Sequence, residues 1–97
     1  MADELEFHLK RPFTAGGKEI KQLTLRAPTT EDVIAVGMPL EPTANGRLSF
    51  NLAMMRDYVV RLGNVPPSTI LKMDHRDFMK LVMAMATHFF GDSAAEG

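Results

Sequence analysis

The chain contains no cysteine. That excludes disulfides, thiolate zinc sites and cysteine nucleophiles, and it is compatible with a reducing compartment. Charge of one sign is also missing in excess. Eleven basic residues face twelve acidic ones, for a formal charge of −1. Residues 1–48 hold six basic and seven acidic side chains, and residues 49–97 hold five of each. Neither half offers the concentrated positive field expected of a nucleic-acid binder. No window approaches 18 uninterrupted apolar residues, since Lys80, Thr87 and His88 break the longest candidate. The amino terminus, MADELEFHLKRP, is acidic where a secretory signal needs a basic start and an apolar run. A soluble, intracellular chain is expected, with no membrane and no nucleic acid among its partners.

What is present is globular composition. Ninety-seven residues with a 45% hydrophobic fraction are expected to make one domain, 1–97, around one modest core, with flexible ends at 1–3 and 91–97. Leu5, Phe7 and Leu9 alternate with Glu4, Glu6, His8 and Lys10, which predicts a half-buried strand over 4–11. Pro12 is expected at the strand end, and Thr14-Ala15-Gly16-Gly17 as a turn. A second strand follows over 18–26, with Leu23 and Leu25 on one face. Ile20 has the opposite parity and joins that face only through a bend or bulge.

Thr29 is placed to cap a short helix, with Asp32 three residues on as its reciprocal partner and Gly37 and Pro39 ending it. Residues 38–48 read as a loop, packed through Met38 and Leu40 or partly disordered, with Asn45-Gly46 at its tip. Ser49 is expected to cap a second helix running to Leu62 and stopped by Gly63. Leu52, Met55, Val59 and Leu62 share one face flanked by Tyr58, and Asp57 and Arg61 have i,i+4 ion-pair spacing. Pro66 and Pro67 set a structural turn into a short helix over 67–72. Asp74 then caps the last helix, 75–90, with Asp77 in its first turn. The fold class is α+β: an N-terminal antiparallel β-hairpin, then three or four helices, the last strongly apolar.

That last helix carries two apolar stripes. Phe78, Leu81, Val82, Met85 and Phe89 form one, and Met79, Met83, Ala86 and Phe90 the other, leaving Lys80, Ala84, Thr87 and His88 as a narrow remainder. Either the helix is buried on nearly all sides, or one stripe fills the core and the other meets a partner. Six of the eight methionines fall between Met54 and Met85, and unbranched thioethers repack against irregular or changing apolar surfaces. Catalysis has no comparable signal. His8, His75 and His88 lie on separate segments without metal-ligand spacing. Asp74 and Asp77 are explained as helix-start residues, Ser49 and Ser68 as helix-start residues and Ser93 as a tail residue. Gly16-Gly17 lacks the lysine and hydroxyl residue of a phosphate-binding loop. Arg26, Arg47, Arg56 and Arg61 are interrupted by acidic neighbours and read as a solvated face. No catalytic, cofactor-binding or metal residue is expected, and no enzyme.

Two motifs are recognisable together. Lys18-Glu19-Ile20-Lys21-Gln22-Leu23-Thr24-Leu25-Arg26-Ala27-Pro28-Thr29-Thr30-Glu31-Asp32 resembles the strand-to-helix signature of small tail assembly chaperones from Mu-like and related contractile-tailed bacteriophages. Leu62-Gly63-Asn64-Val65-Pro66-Pro67-Ser68, continuing through Leu71, Met73, Asp74, Arg76, Asp77 and Phe78, resembles their closing helix-turn-helix. The resemblance extends over roughly residues 5–90. It implies a nonenzymatic helper that binds the tape measure protein, assists tail-tube assembly in the bacterial host cytoplasm, and is absent from the mature virion. It also implies the tail-tube protein, a longer frameshifted form and a homo-oligomer as further partners. Joined to the residue reading, it places a protein-binding surface on Met54, Tyr58, Met79, Met83 and Phe90. A virion structural tail component and a small transcriptional accessory module are the alternative expectations.

Overall fold

A computed structural model describes residues 4–91. The flexible ends expected at 1–3 and 91–97 lie outside these residues, except for Gly91, which closes the last helical stretch.

Strands β1 (Leu5–Ala15) and β2 (Lys18–Leu25) form the N-terminal antiparallel hairpin. Ala15 pairs with Lys18, so the loop is Gly16-Gly17 alone, with φ of 60° and 78°. Two consecutive positive-φ residues match the twist of the flanking strands, and only glycine adopts that geometry without strain. The register runs from Leu5 opposite Leu25 to His8 opposite Gln22, then resumes with Phe13 opposite Ile20. Residues 9–12 therefore stand against residue 21 alone. This irregularity lets Leu5, Phe7, Leu9 and Phe13 keep one inward parity along β1 while β2 changes parity between Ile20 and Leu23. The extra residues thus lie in β1, and the parity change that Ile20 requires falls at Lys21 and Gln22 in β2. Pro12, expected at a strand end, sits inside the irregularity, where no ladder bond is lost to its missing N–H.

Helix α1 (Thr30–Val36) starts on a reciprocal capping box: Thr29 Oγ1 accepts from Asp32 N, and the Asp32 carboxylate accepts from Thr29 N at 2.8 Å. The segment expected as a loop over 38–48 is instead a second, smaller hairpin, β3 (Leu40–Pro42) paired with β4 (Leu48–Phe50). Strands of three residues carry too little alternation to announce themselves. What closes the hairpin is Thr43, which donates from its amide to Arg47 O at 2.7 Å and accepts on its hydroxyl from Arg47 N.

Helix α2 (Leu52–Gly63) is capped by Asn51, whose side chain accepts from Met54 N; Ser49, the expected cap, lies in β4. The helix stops at Asn64, which carries the left-handed conformation (φ 54°), one residue beyond the expected stop at Gly63. Gly63 has a different task. A Cβ there would sit 2.8 Å from Leu25 Cδ2, so its missing side chain is what lets α2 approach β2. The expected Asp57–Arg61 pair is replaced by two others: Arg56 bonds Asp57, and Arg61 reaches across to Asp32.

Pro66 caps α3 (Pro67–Leu71), with Pro67 in its first turn. Asp74 caps α4 (His75–Met85), accepting from Arg76 N at 2.8 Å. Beyond Met85 the helix widens into a π-helical stretch, Ala86–Gly91. The four helices form a bundle against the hairpin, with α2 packed on β2 and α4 on β1. Leu25, Met55, Tyr58, Val59, Leu81 and Met85 are fully buried at its centre. Each such side chain contributes about 1.5–3 kcal/mol by leaving water.

Helix α4 is amphipathic. Leu81, Val82 and Met85 face the core with Phe78 and Phe89 half-buried beside them, as the first stripe predicts. The second stripe divides. Met79 and Met83 are exposed, whereas Ala86 and Phe90 are half-buried. The π-helical turn is the cause: it holds more residues than an α-turn, so Phe90 lags behind the phase of Met79 and Met83 and swings toward Tyr58. Among the described residues, no helix is long and apolar enough to cross a membrane.

Candidate functional site

An exposed apolar surface forms where the start of α2 meets α3 and α4. Three local devices place it. Asn51 donates its amide to Pro39 O at 2.7 Å and its Nδ2 to Glu41 Oε2 at 3.0 Å, fixing the start of α2 beside the small hairpin. The two prolines set α3, which has five residues and buries only Thr69 and Ile70, so Leu71 points outward. Asp77, almost wholly buried in the first turn of α4, accepts the amides of Lys10 (3.3 Å) and Arg11 (2.8 Å). Those amides are free because the β1 irregularity has turned them away from β2. Arg11 also lies 3.8 Å from Asp77 and 3.9 Å from Asp74.

The surface itself is two adjoining depressions. One, of about 310 Å³, is lined by Leu52, Ala53, Arg56, Ile70, Leu71, Met73, His75 and Phe78. The other, of about 260 Å³, is lined by Phe50, Leu52, Met79, Val82 and Met83. Leu52 belongs to both and joins them into one trough. Its exposed floor and edges are substantial: Leu52 is 52% exposed, Leu71 75%, Met79 59% and Met83 64%. Large apolar side chains this open to water, and this close together, mark a contact surface more often than chance packing does.

Of the five residues expected to bind a partner, the structure brings only Met79 and Met83 to this trough. Met54 is half-buried against Gly37, where a Cβ would lie 3.3 Å from its Cε. Tyr58 is fully buried; its hydroxyl donates to Gly37 O at 2.7 Å, and its ring meets Phe90 edge-on at 5.3 Å. Tyr58 and Phe90 therefore pack inward. Leu52 and Leu71 are the members that periodicity did not single out. Leu52 shares the core face of α2 in projection, but as the first helical residue it extends past the elements that cover Met55 and Val59. For Leu71 the signal was the shortness of α3, which has only one buried side.

The strongest electrostatic cluster lies away from the trough. Arg26 holds Asp32 with both terminal nitrogens, at 2.7 and 3.0 Å, while Arg61 Nε donates to the same carboxylate. The Arg26 hydrogen bonds, then those of Arg61, hold the Asp32 carboxyl well below the usual range against the opposing effect of its burial. Arg26 is raised correspondingly by Asp32, and the Tyr58 hydroxyl is raised by burial and then by the Asp32 charge. Asp74 is lowered by its hydrogen bonds with Arg76. The Asp32 cluster binds one element to another, whereas the Asp74–Arg76 pair stays within the start of α4. His8 is exposed on β1, His75 lines the trough, and His88 stacks edge-on against Phe89 at 4.9 Å. Among the described residues no group of three His, Cys, Asp or Glu could hold a metal ion.

Residues 6–91 match the model of a family described as phage tail assembly chaperone proteins, E, or 41 or 14. Searches of curated proteins and of solved structures found no significant match.

Proposed function

Because the chain belongs to the phage tail assembly chaperone family, we propose that it binds the tape measure protein through the trough of Leu52, Leu71, Met79 and Met83. The chain is not an enzyme; it serves the assembly of other proteins. The observation that carries the finer reading is the exposure of these four side chains on one face. A tape measure protein is a long, helix-rich chain with apolar surface, and an apolar trough between helices is a shape that receives such a segment. Flexible methionines at its edge suit a client whose successive turns differ in detail.

In this reading the chain, 1–97, works as one domain in the host cytoplasm, holding the client soluble until tube subunits cover it, and the protein is absent from the mature virion. The tail-tube protein, a longer frameshifted form and further copies of the chain are its other partners. Pro66 and Pro67 set the direction of α3 and so the width of the trough.

Coexpression with the cognate tape measure protein tests the site. Met79→Asp with Met83→Asp is expected to leave the chain folded, by circular dichroism, and to send most of the client into the insoluble fraction. Unchanged client solubility and copurification, with the variant folded, would overturn the assignment.

A further inference from the structure

Methionine carries all of the chain's sulfur, since eight methionines stand beside no cysteine. A peroxide that meets this protein therefore finds thioethers and no thiol competing for it. Packing sorts those thioethers sharply. Met55 and Met85 are fully buried and Met73 is 8% exposed, whereas Met38, Met79 and Met83 are 67%, 59% and 64% exposed. Of the three exposed side chains, Met79 and Met83 line the trough, sharing one depression with Phe50, Leu52 and Val82. They stand four residues apart on α4, so both project from the same helix face.

We propose that Met79 and Met83 are sites of oxidation to the sulfoxide, and that this modification switches the trough off while the fold stays intact. The second half rests on the chaperone reading above. In the step, a sulfur lone pair takes one oxygen of hydrogen peroxide. The O–O bond breaks, the S–O bond forms, and the other oxygen leaves with both protons as water. The sulfur loses two electrons and the peroxide gains them. The product exchanges a flexible apolar side chain for a polar one. Beside Phe50 and Val82, the water bound to that oxygen has to be stripped before an apolar segment can seat, a cost the thioether does not impose. The fold is spared because both side chains lie mostly in solvent. At Met55 or Met85 the same oxygen would enter the core cluster that holds Leu25, Tyr58 and Leu81. Methionine sulfoxide reductases reverse the step with a thiol reductant, giving back the thioether, a disulfide and water.

Limited treatment with hydrogen peroxide, quenched with catalase and followed by peptide mass mapping, provides the first test. Met79 and Met83 are expected to gain oxygen about tenfold faster than Met55 and Met85, with circular dichroism unchanged. Equal rates at the exposed and buried sulfurs, or unfolding in step with oxidation of Met79 and Met83, overturn the proposal. For the second test, full-length tape measure protein is diluted from urea into treated or untreated chaperone. The treated protein is expected to leave most of the client insoluble, and methionine sulfoxide reductases with dithiothreitol to restore its solubility. The loss is expected to persist in Met38→Leu and to vanish in Met79→Leu with Met83→Leu, each variant being measured against its own untreated level. A loss that follows Met38 instead overturns the assignment to the trough. Full solubilisation by protein carrying both sulfoxides overturns the switch. If Met79→Asp with Met83→Asp then still fails to solubilise the client, the chaperone reading stands without it; if that variant solubilises the client too, both fall.

Discussion

Five donor atoms converge on the Asp32 carboxylate: two from Arg26, two from Thr29 and one from Arg61. One side chain thereby ties the end of β2, the start of α1 and the last turn of α2. Removing its charge leaves two arginines without their acceptor, but both are partly exposed, so water recovers much of their solvation. Asp32→Asn is therefore expected to cost about 2 kcal/mol in urea unfolding at pH 7, below the full cost of breaking a buried pair. The pH dependence has a definite sign. A carboxyl whose folded value is depressed contributes stability that is complete above its unfolded value, about 3.9, and is lost as the pH falls toward the folded value. The wild type should hold its stability down to about pH 4 and lose it below, and Asp32→Asn should show a lower plateau with a shallower acid limb. Some limb persists, because Asp74 is depressed by Arg76 and titrates in the same window. An acid limb of unchanged slope in the variant would remove Asp32 from this role.

At the scale of elements, what joins α4 to the hairpin is a helix-start aspartate inserted into a strand irregularity. Asp77 accepts amides that β1 could not otherwise satisfy beside a buried carboxylate, so each feature explains the other. Asp77→Asn keeps the volume but exchanges a charged acceptor for a neutral one. It is expected to cost about 1.5–3 kcal/mol and to speed hydrogen exchange at the Lys10 and Arg11 amides ahead of the rest of β1. Uniform acceleration along both strands would show that the contact merely adds global stability. This contact also marks the limit of what local pattern reveals. The glycine pair of the hairpin, the Thr29–Asp32 box and the Asp74 cap are written within four residues each, and all were legible. The Asp77 partner lies 66 residues away, and Arg61 reaches Asp32 across 29, so neither spacing rule nor periodicity contains them. Helix phase failed for a related reason: the doubled stripe of α4 predicts Phe90 beside Met83 only if the helix stays α, and the π turn after Met85 breaks that assumption. Met79 and Met83 precede the turn, so they keep α-helical phase and stand exposed side by side.

For the molecule as a whole, the question is why so much apolar surface stays outside a core this small. Met55, Leu81 and Met85 stabilise the fold by leaving water; Met79, Met83 and Leu52 do so only slightly, since more than half of each remains wet. If the trough existed for the isolated chain's stability, replacing its members with polar residues would be costly. If it exists for a partner, folding should hardly register the change. Leu52→Ser, Met79→Ser and Met83→Ser together are expected to shift unfolding by about 0.5 kcal/mol or less per site, whereas Leu81→Ala alone should cost about 2–5 kcal/mol. The triple variant should also scatter less light at high concentration, because exposed apolar surface is what drives aggregation. The combination that decides is stability retained and client solubilisation lost. A triple variant as unstable as Leu81→Ala would return the trough to the core. One that still solubilises the client would send the binding surface elsewhere, with exposed Ile34 and Met38 as the next apolar side chains to examine.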